Sequence, residues 1–364
     1  MARADRSDQD VQGYLKSMAG RIDEHIDRCL SAIGSQEELD KLLGNRSDYA
    51  YDMEAIRKGV VEPIRYMLEL GGKRWRPTLM LEVISALGRD PERYMDFAII
   101  PELIHNATLV HDDVEDNSPK RRGADAIFVK YGQDVAINLG STIYYIPIAF
   151  LMNSRKLDAG TKERVLDIYI REMLRVHLGQ AMDIVWHRQM VDPFGITEAQ
   201  YMQMVFSKTG VLPRMAAMLG GALAGADEQT IQALGKFGGT IGVAFQLQDD
   251  LLNITESELA RGKGGVGDDI SEGKMTLMVI RALHTAPEKE RKRLLEILRS
   301  HTKDKALIRE AISIIDRSGA KDYVVKRERE LFDEAWSNLA RRLPESEGKE
   351  RLRQLADFLI NRSV

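Results

Sequence analysis

Apolar positions in this chain recur at helical spacing almost from end to end. In the first segment Val11, Leu15, Met18, Ile22, Ile26, Leu30 and Ile33 step by three or four, which is one face of a helix. "MEAIRKGVVEPIRYMLELGG" keeps the same period and stops at Gly71-Gly72, where a helix can end without a Cβ clash. The period predicts further helices near 77–87, 94–115, 134–154, 160–189, 197–224, 227–256, 273–284, 287–301, 304–317, 319–342 and 348–362. No sustained period-two alternation predicts a sheet. Turn signals such as "LGRDPERY", "VDPFGITEA" and "GKGGVGDD" keep the connections short. The expectation is one all-α domain over residues 51–364, with residues 1–50 an N-terminal helical segment packed on it.

Two helices end in a way that a solvated surface does not explain. The apolar run "PELIHNATLV" leads straight into "HDDVEDNSPKRRG", which places four acids in five positions and three cations just after them. Far downstream "FQLQDDLLN" closes a second largely apolar run with another acidic pair. On a helix Asp112 and Asp116 lie one turn apart on one face, with Asp113 about 100° round. Carboxylates this close repel and take up protons unless a cation shields them. Magnesium takes one or two oxygens from carboxylates and the rest from water and phosphate. Asp249, Asp250 and Asn253 repeat the spacing, with an amide in place of the third acid. Two such turns facing each other across a helical bundle would hold a diphosphate through bridging metals.

The cations sit beside those acids. "GGKRWRP" carries Lys73, Arg74 and Arg76 across a helix stop and the next helix start, and Pro77 suits a first helical turn. Arg121 and Arg122 follow the first acids, Lys208 lies in "SKTG", and Lys263 and Lys274 flank the glycine-rich loop. Singly, each such cation is more often a surface charge than a ligand. Gathered at the helix ends that carry the acids, they suit a phosphate, which Arg grips with two parallel bonds and Lys with a point charge.

Composition changes this picture little. With 364 residues, 44% apolar and 30% charged, the chain suits a soluble globular protein. A net charge of -4 leaves no nucleic-acid footprint. The single cysteine, Cys29, excludes an internal disulfide and fits a reducing compartment. The opening residues lack the apolar core of a signal peptide. The apolar stretches 134–153 and 211–225 are broken by Gly, Ser, Pro or Arg, short of the roughly 18 residues of a spanning helix. A cytoplasmic protein with no integral membrane segment is expected.

In chain order, "GGKRWRP", "ELIHNATLVHDDVEDNSPKRRG", "GQAMD", "SKTG", "FQLQDDLLN" and "GKGGVGDDISEGKMT" resemble the motifs of the trans-isoprenyl diphosphate synthases. The resemblance spans residues 71–277. It implies a bundle of about ten core helices around a central cavity, a homodimer, three Mg²⁺ ions, and condensation of isopentenyl diphosphate with an allylic diphosphate. It assigns Asp112, Asp116 and Asp249 to the metals, with Asp113, Asp250 and Asn253 behind them or on the ions. Arg121, Lys208, Lys263 and Lys274 are assigned to the allylic diphosphate, and Lys73, Arg76, His105 and Arg122 to isopentenyl diphosphate. Thr209, Gln246 and a carbonyl loosened by Gly210 resemble the family's cation-stabilising set, and Asp183 of "GQAMD" is expected to support Lys208. Along the helix ending in the first acids, Ala107 and Thr108 form the first level of the tail cavity. Ile104, with Tyr144 and Tyr145 on the next helix, could close it, which implies products of twenty to twenty-five carbons or longer.

Three departures stand out: Asn253 where many relatives carry an acid, Gly140-Ser141 where they carry Gly-Asp, and one extra residue between Lys263 and Lys274. Two alternatives are a class I terpene cyclase and a non-catalytic partner subunit. A cyclase has no second diphosphate to bind, so "GGKRWRP" and His105 would serve nothing. A partner subunit is expected to have lost its first acids, and this chain keeps them.

Overall fold

The structure is a computed structural model that describes residues 2–188, 190–255 and 267–360. It is all-α. Among the described residues the one strand pairing is a hairpin, Lys120–Arg121 against Ala124–Asp125. Two compact units are distinguished. One comprises Met1–Tyr169, Ala216–Ile231 and Leu343–Leu355; the other Ile170–Met215, Gln232–Arg342 and Ala356–Val364.

In the first unit the helix Ala2–Ser31 buries the stripe expected from its period, from Val11 and Leu15 through Ile26 and Leu30. Polar contacts fix it at intervals: Tyr14 to Glu82, Arg21 to Glu92, and His25 Nδ1 to Asp96 Oδ1 at 2.8 Å. Trp75–Ala86 is buried on nearly every face, including Arg76, Thr78 and Glu82. Ile99–Glu115 is buried along most of its length, apart from a stripe that begins at His105 and runs to its acids. Gln133–Asn153 packs along it through Ala136, Leu139, Gly140 and Ile143. Gly140 is required there, because a Cβ would stand 2.6 Å from His111 Nε2. Gln133–Asn153, the helix expected over 134–154, runs unbroken through Pro147. By length and composition alone it could cross a membrane, a test that the core helices of soluble proteins also pass.

The second unit has its own core, built from Tyr201, Met204, Val243, Leu247, Met278, Ile280, Leu294 and Ile314 among others. A capping box of Thr197 and Gln200 starts the helix Glu198–Val205. A single helix is expected over 197–224, but Phe206–Gly210 is a π turn. Arg57–Val61 is another, inside the helix expected over 53–70. Each lies just before a proline, Pro213 and Pro63. Proline has no N–H for the carbonyl four residues back and its ring crowds that carbonyl, so the ladder widens there. Two helix starts are also later than expected. A 3₁₀ turn over Pro91–Phe97 precedes Ile99, and Gly273, at φ 73°, separates Asp268–Glu272 from Leu277–Thr285.

Candidate active site

The first acidic helix ends in a defined cap. Asn117 takes a left-handed conformation (φ 51°), its N–H reaches the Val114 carbonyl at 3.3 Å, and Ser118 N–H reaches the Asp113 carbonyl at 2.9 Å. This is a Schellman stop with asparagine in the glycine position. It leaves Asp116 as the last near-helical residue, one turn beyond Asp112, at the end where the helix dipole favours a cation. The hairpin follows at once. Arg122 and Gly123 both have positive φ (53° and 83°), the mark of a type I′ turn joining two strands by two residues. The tight turn folds Arg121 back onto the helix, where Nε donates to Asp113 Oδ1 at 2.9 Å and Nη2 lies 3.8 Å from Asp112 Oδ2. Asp113 is buried, and burial raises its pKa despite Arg121. It therefore serves to position Arg121, while Asp112 and Asp116 stay partly exposed.

One stripe of Ile99–Glu115 stays accessible. His105, Thr108, Leu109, Asp112 and Asp116 are partly exposed at spacings of three and four, while Leu103, Ile104, Asn106, Ala107 and Val110 are buried. The accessible tail level is thus Thr108 with Leu109. Ala107, expected to share it, is enclosed by protein. Tyr144 is buried, with its hydroxyl 3.0 Å from His111 Nδ1. Tyr145 is 72% exposed, away from the buried side of the helix where it was expected to form the floor.

Around His105 the positive charge is concentrated. Burial, then the guanidiniums of Arg76, Arg122, Arg121 and Arg74 in that order, hold the imidazole well below its usual pKa, so it is neutral at pH 7. Its Nδ1 is enclosed with no hydrogen-bond partner. Arg76 is buried and stacks on Trp75 at 4.4 Å. Lys73 is exposed, and Arg122 is exposed at the hairpin tip. A Cβ on Gly72 would stand 2.6 Å from Arg74 Nη1 and 3.2 Å from Arg122 Nη1, so the bare backbone there lets both guanidiniums approach. Arg74 itself is committed inward. Its Nη1 donates to Glu102 Oε1 at 2.9 Å and its Nε to Asp23 Oδ1 at 2.8 Å. These bonds hold a left-handed backbone (φ 47°) that costs a non-glycine residue about 1–2 kcal/mol.

In the second unit the π turn organises the chemistry. Pro213 has no N–H with which to make the usual helical bond to the Thr209 carbonyl. Gly210 and Gly242 let two backbones touch: a Cβ on Gly242 would stand 2.6 Å from Gly210 Cα and 3.1 Å from the Thr209 carbonyl oxygen. Thr209 Oγ1 lies 3.0 Å from Gln246 Oε1, and Gln246 Nε2 donates to Asp250 Oδ1 at 2.8 Å. Tyr201 donates to Asp250 Oδ2 at 2.7 Å. Asp250 is buried, and burial with the nearby Asp269 pushes its pKa up to about 7. Asp249, its neighbour, remains partly exposed. Lys208 Nζ is 2.5 Å from Asp183 Oδ2, the contact expected of "GQAMD".

Asn253 faces the short helix that follows. Its Oδ1 accepts the Asp269 N–H at 3.1 Å and its carbonyl the Gly267 N–H at 2.8 Å. Its amide oxygen thus caps the short helix without adding a further carboxylate beside Asp269. Lys274 pairs with Glu272 at 2.5 Å and lies 3.5 Å from Asp269. Lys263 lies outside the described residues. Asp269, Glu102, Asp23 and Tyr201 also join these contacts, though nothing in their spacing marks them. Two of them stand inside quoted motifs, Asp269 in "GDDISEGK" and Glu102 in "ELIH", but neither spacing announces a partner.

Residues 57–315 match the family model for polyprenyl synthetase. The chain belongs to the polyprenyl synthetase family. It is 37% identical over 297 residues to a short chain isoprenyl diphosphate synthase of Methanothermobacter thermautotrophicus, covering 82% of this chain and 88% of that one. A geranylgeranyl diphosphate synthase of Saccharolobus solfataricus is 34% identical over 308 residues, with 84% and 91% covered. The crystal structure of a geranylgeranyl pyrophosphate synthetase from Pyrococcus horikoshii superposes with a TM-score of 0.80 at 30% identity, covering 98% of this chain and 99% of that one. This polyprenyl synthetase is accordingly a prenyltransferase of the trans-isoprenyl class. Neither the terpene cyclase nor the non-catalytic subunit is favoured by these relatives.

Divalent-metal use goes with the family. The donors suit it: Asp112, Asp116 and Asp249 are partly exposed carboxylates, the first two at the cation-favouring end of a helix. Among the described residues no three acidic, imidazole or thiol groups converge as a ready-made cage. Magnesium, which completes its shell with water and substrate phosphate, needs none.

Proposed function

We propose that this chain condenses isopentenyl diphosphate with an allylic diphosphate, giving a polyprenyl diphosphate of about twenty to twenty-five carbons. The observation that carries the proposal is the second anion site. His105, held neutral by burial and by the nearby charges of Arg76 and Arg122 among others, marks a second concentration of positive charge that suits a further diphosphate. Asp112, Asp116 and Asp249 would hold Mg²⁺, three ions by the family resemblance, and the metal would supply Lewis-acid charge to the allylic diphosphate. Arg121, Lys208 and Lys274, with Lys263, hold that group as it leaves. Lys73, Arg76, Arg122 and His105 orient isopentenyl diphosphate so that its double bond meets the allylic carbon. Thr209 and Gln246 turn oxygen dipoles toward the developing carbocation, and the surrounding apolar walls exclude water. The proton lost from the new C5 unit passes to the departing diphosphate.

Arg76→Ala tests the site division. The Michaelis constant for isopentenyl diphosphate is expected to rise about tenfold or more, ~1.4 kcal/mol of binding, with that for the allylic substrate little changed. A rise confined to the allylic substrate contradicts it.

Product length should follow the accessible stripe. A helix rises about 5.4 Å per turn, on the order of one extended isoprene unit. Thr108 and Leu109 form the first level below Asp112, and Ile104, wholly buried, lies one turn deeper. Family members that stop at fifteen carbons often place an aromatic near this level, and here it is not aromatic. Thr108→Phe should shorten the product by one or two units. Ala107→Phe, overpacked in an enclosed position, should cost about 1–3 kcal/mol of stability instead. Chain lengths read by mass spectrometry decide: an unchanged spectrum in active Thr108→Phe protein sends the tail elsewhere.

The protein is further proposed to work in the cytoplasm as a homodimer. Ile137, Tyr145 and Met152 are exposed along one helix of the first unit, and Ile170, Leu174 and Leu178 at four-residue steps along one of the second. Such stripes suit a partner copy.

A further inference from the structure

We propose that the N-terminal helix is a working part of the isopentenyl site, with Asp23 acting through Arg74 as a positioning residue; the proposal rests on the site division above. Lys73 and Arg76, the residues assigned to isopentenyl diphosphate, flank Arg74 in sequence. Arg74 is buried, and its guanidinium joins four places. Nε donates to Asp23 on Ala2–Ser31, and Nη1 to Glu102 on Ile99–Glu115 and to the Gly71 carbonyl at 3.2 Å. Nη2 donates to the Leu68 carbonyl at 3.1 Å, at the end of the preceding helix. Its own carbonyl accepts the N–H and hydroxyl of Thr78, at 3.2 and 2.8 Å. The loop that carries Lys73 and leads into the helix start holding Arg76 is therefore shaped by one side chain, and Asp23 holds one edge of it.

Glu102 completes the device from the other side. It is buried one turn before Asn106, whose Nδ2 donates to Glu102 Oε1 at 2.8 Å. His105 lies between them in sequence. Burial alone would weaken the charge on Arg74, but Glu102 and then Asp23 outweigh it, so the guanidinium is held charged and fully engaged.

The N-terminal helix docks without Asp23. Its apolar stripe and the contacts of Tyr14, Arg21 and His25 lie elsewhere on it. That separates positioning from folding. Removing the Asp23 charge should loosen the loop and leave the helix in place.

The test compares Asp23→Asn, Asp23→Glu, Arg21→Gln and Arg76→Ala by steady-state kinetics, with melting temperature beside each. Asp23→Asn is expected to raise the Michaelis constant for isopentenyl diphosphate about five- to tenfold, leaving turnover and the allylic constant within about twofold. Asp23→Glu should recover most of that loss, and Arg21→Gln, which removes an exposed pair on the same helix, should show none of it. Wild-type constants in Asp23→Asn, or an equal rise in Arg21→Gln, overturn the proposal. If Arg76→Ala raises the isopentenyl constant while Asp23→Asn does not, this inference alone fails. If Arg76→Ala leaves that constant unchanged, the site division fails and this proposal with it.

Discussion

Asp112→Asn and Asp116→Asn should each lower turnover about 10³-fold or more, ~4 kcal/mol in activation free energy, while the fold survives. Both carboxylates are partly exposed, and Asp112 meets Arg121 only at 3.8 Å. A partly exposed pair contributes no more than about 1 kcal/mol, so melting should change little. Removing mutually repelling acids should even steady the metal-free protein. Asp113→Asn is the informative contrast. That acid is buried with Arg121 folded onto it, so its loss should cost stability of about 1–3 kcal/mol as well as activity. Turnover at saturating Mg²⁺ and thermal melting separate the two patterns. Near wild-type turnover in Asp112→Asn would overturn the assignment of that acid to the metals.

Lys208→Ala should lower turnover about 10²-fold with little change in either Michaelis constant. Negative charge on the leaving diphosphate grows in the transition state, and a cation aimed at it acts mainly there. In the structure Lys208 is held at 2.5 Å by Asp183, both partly buried, so the ammonium is placed before substrate arrives. Preorganisation of this kind lowers the reorganisation needed during ionisation. Single-turnover kinetics give the direct reading: a loss confined to binding, with the chemical step unaltered, contradicts this role.

Much of this was legible in the sequence, for identifiable reasons. Helical periodicity located nearly every helix, because a buried stripe such as Val11 to Leu30 leaves a strong period. The acids and cations announced themselves because charge at the end of an apolar run has few bland explanations. What stayed hidden depends on geometry that spacing does not encode. The type I′ hairpin that returns Arg121 to Asp113 occupies six residues and carries no alternation. The π turns follow from Pro63 and Pro213, single residues whose effect falls on the preceding turn. Asp23 and Glu102 are ordinary acids on their own helices, and only the buried Arg74 gives them meaning. Tyr144 and Tyr145 are alike in sequence, yet one is buried and the other exposed, since adjacent helical positions differ by about 100°.

The most direct test is product analysis. Purified protein is incubated with Mg²⁺ and an allylic diphosphate, first alone and then with isopentenyl diphosphate, and the products are resolved by mass spectrometry. No hydrocarbon is expected from the allylic substrate alone; the protein's mechanism implies elongation only when both diphosphates are present. With isopentenyl diphosphate, linear diphosphates lengthened by whole five-carbon units to about twenty to twenty-five carbons are expected. A cyclic hydrocarbon formed from the allylic substrate alone, or no elongation by protein that is folded and metal-loaded, would contradict that mechanism.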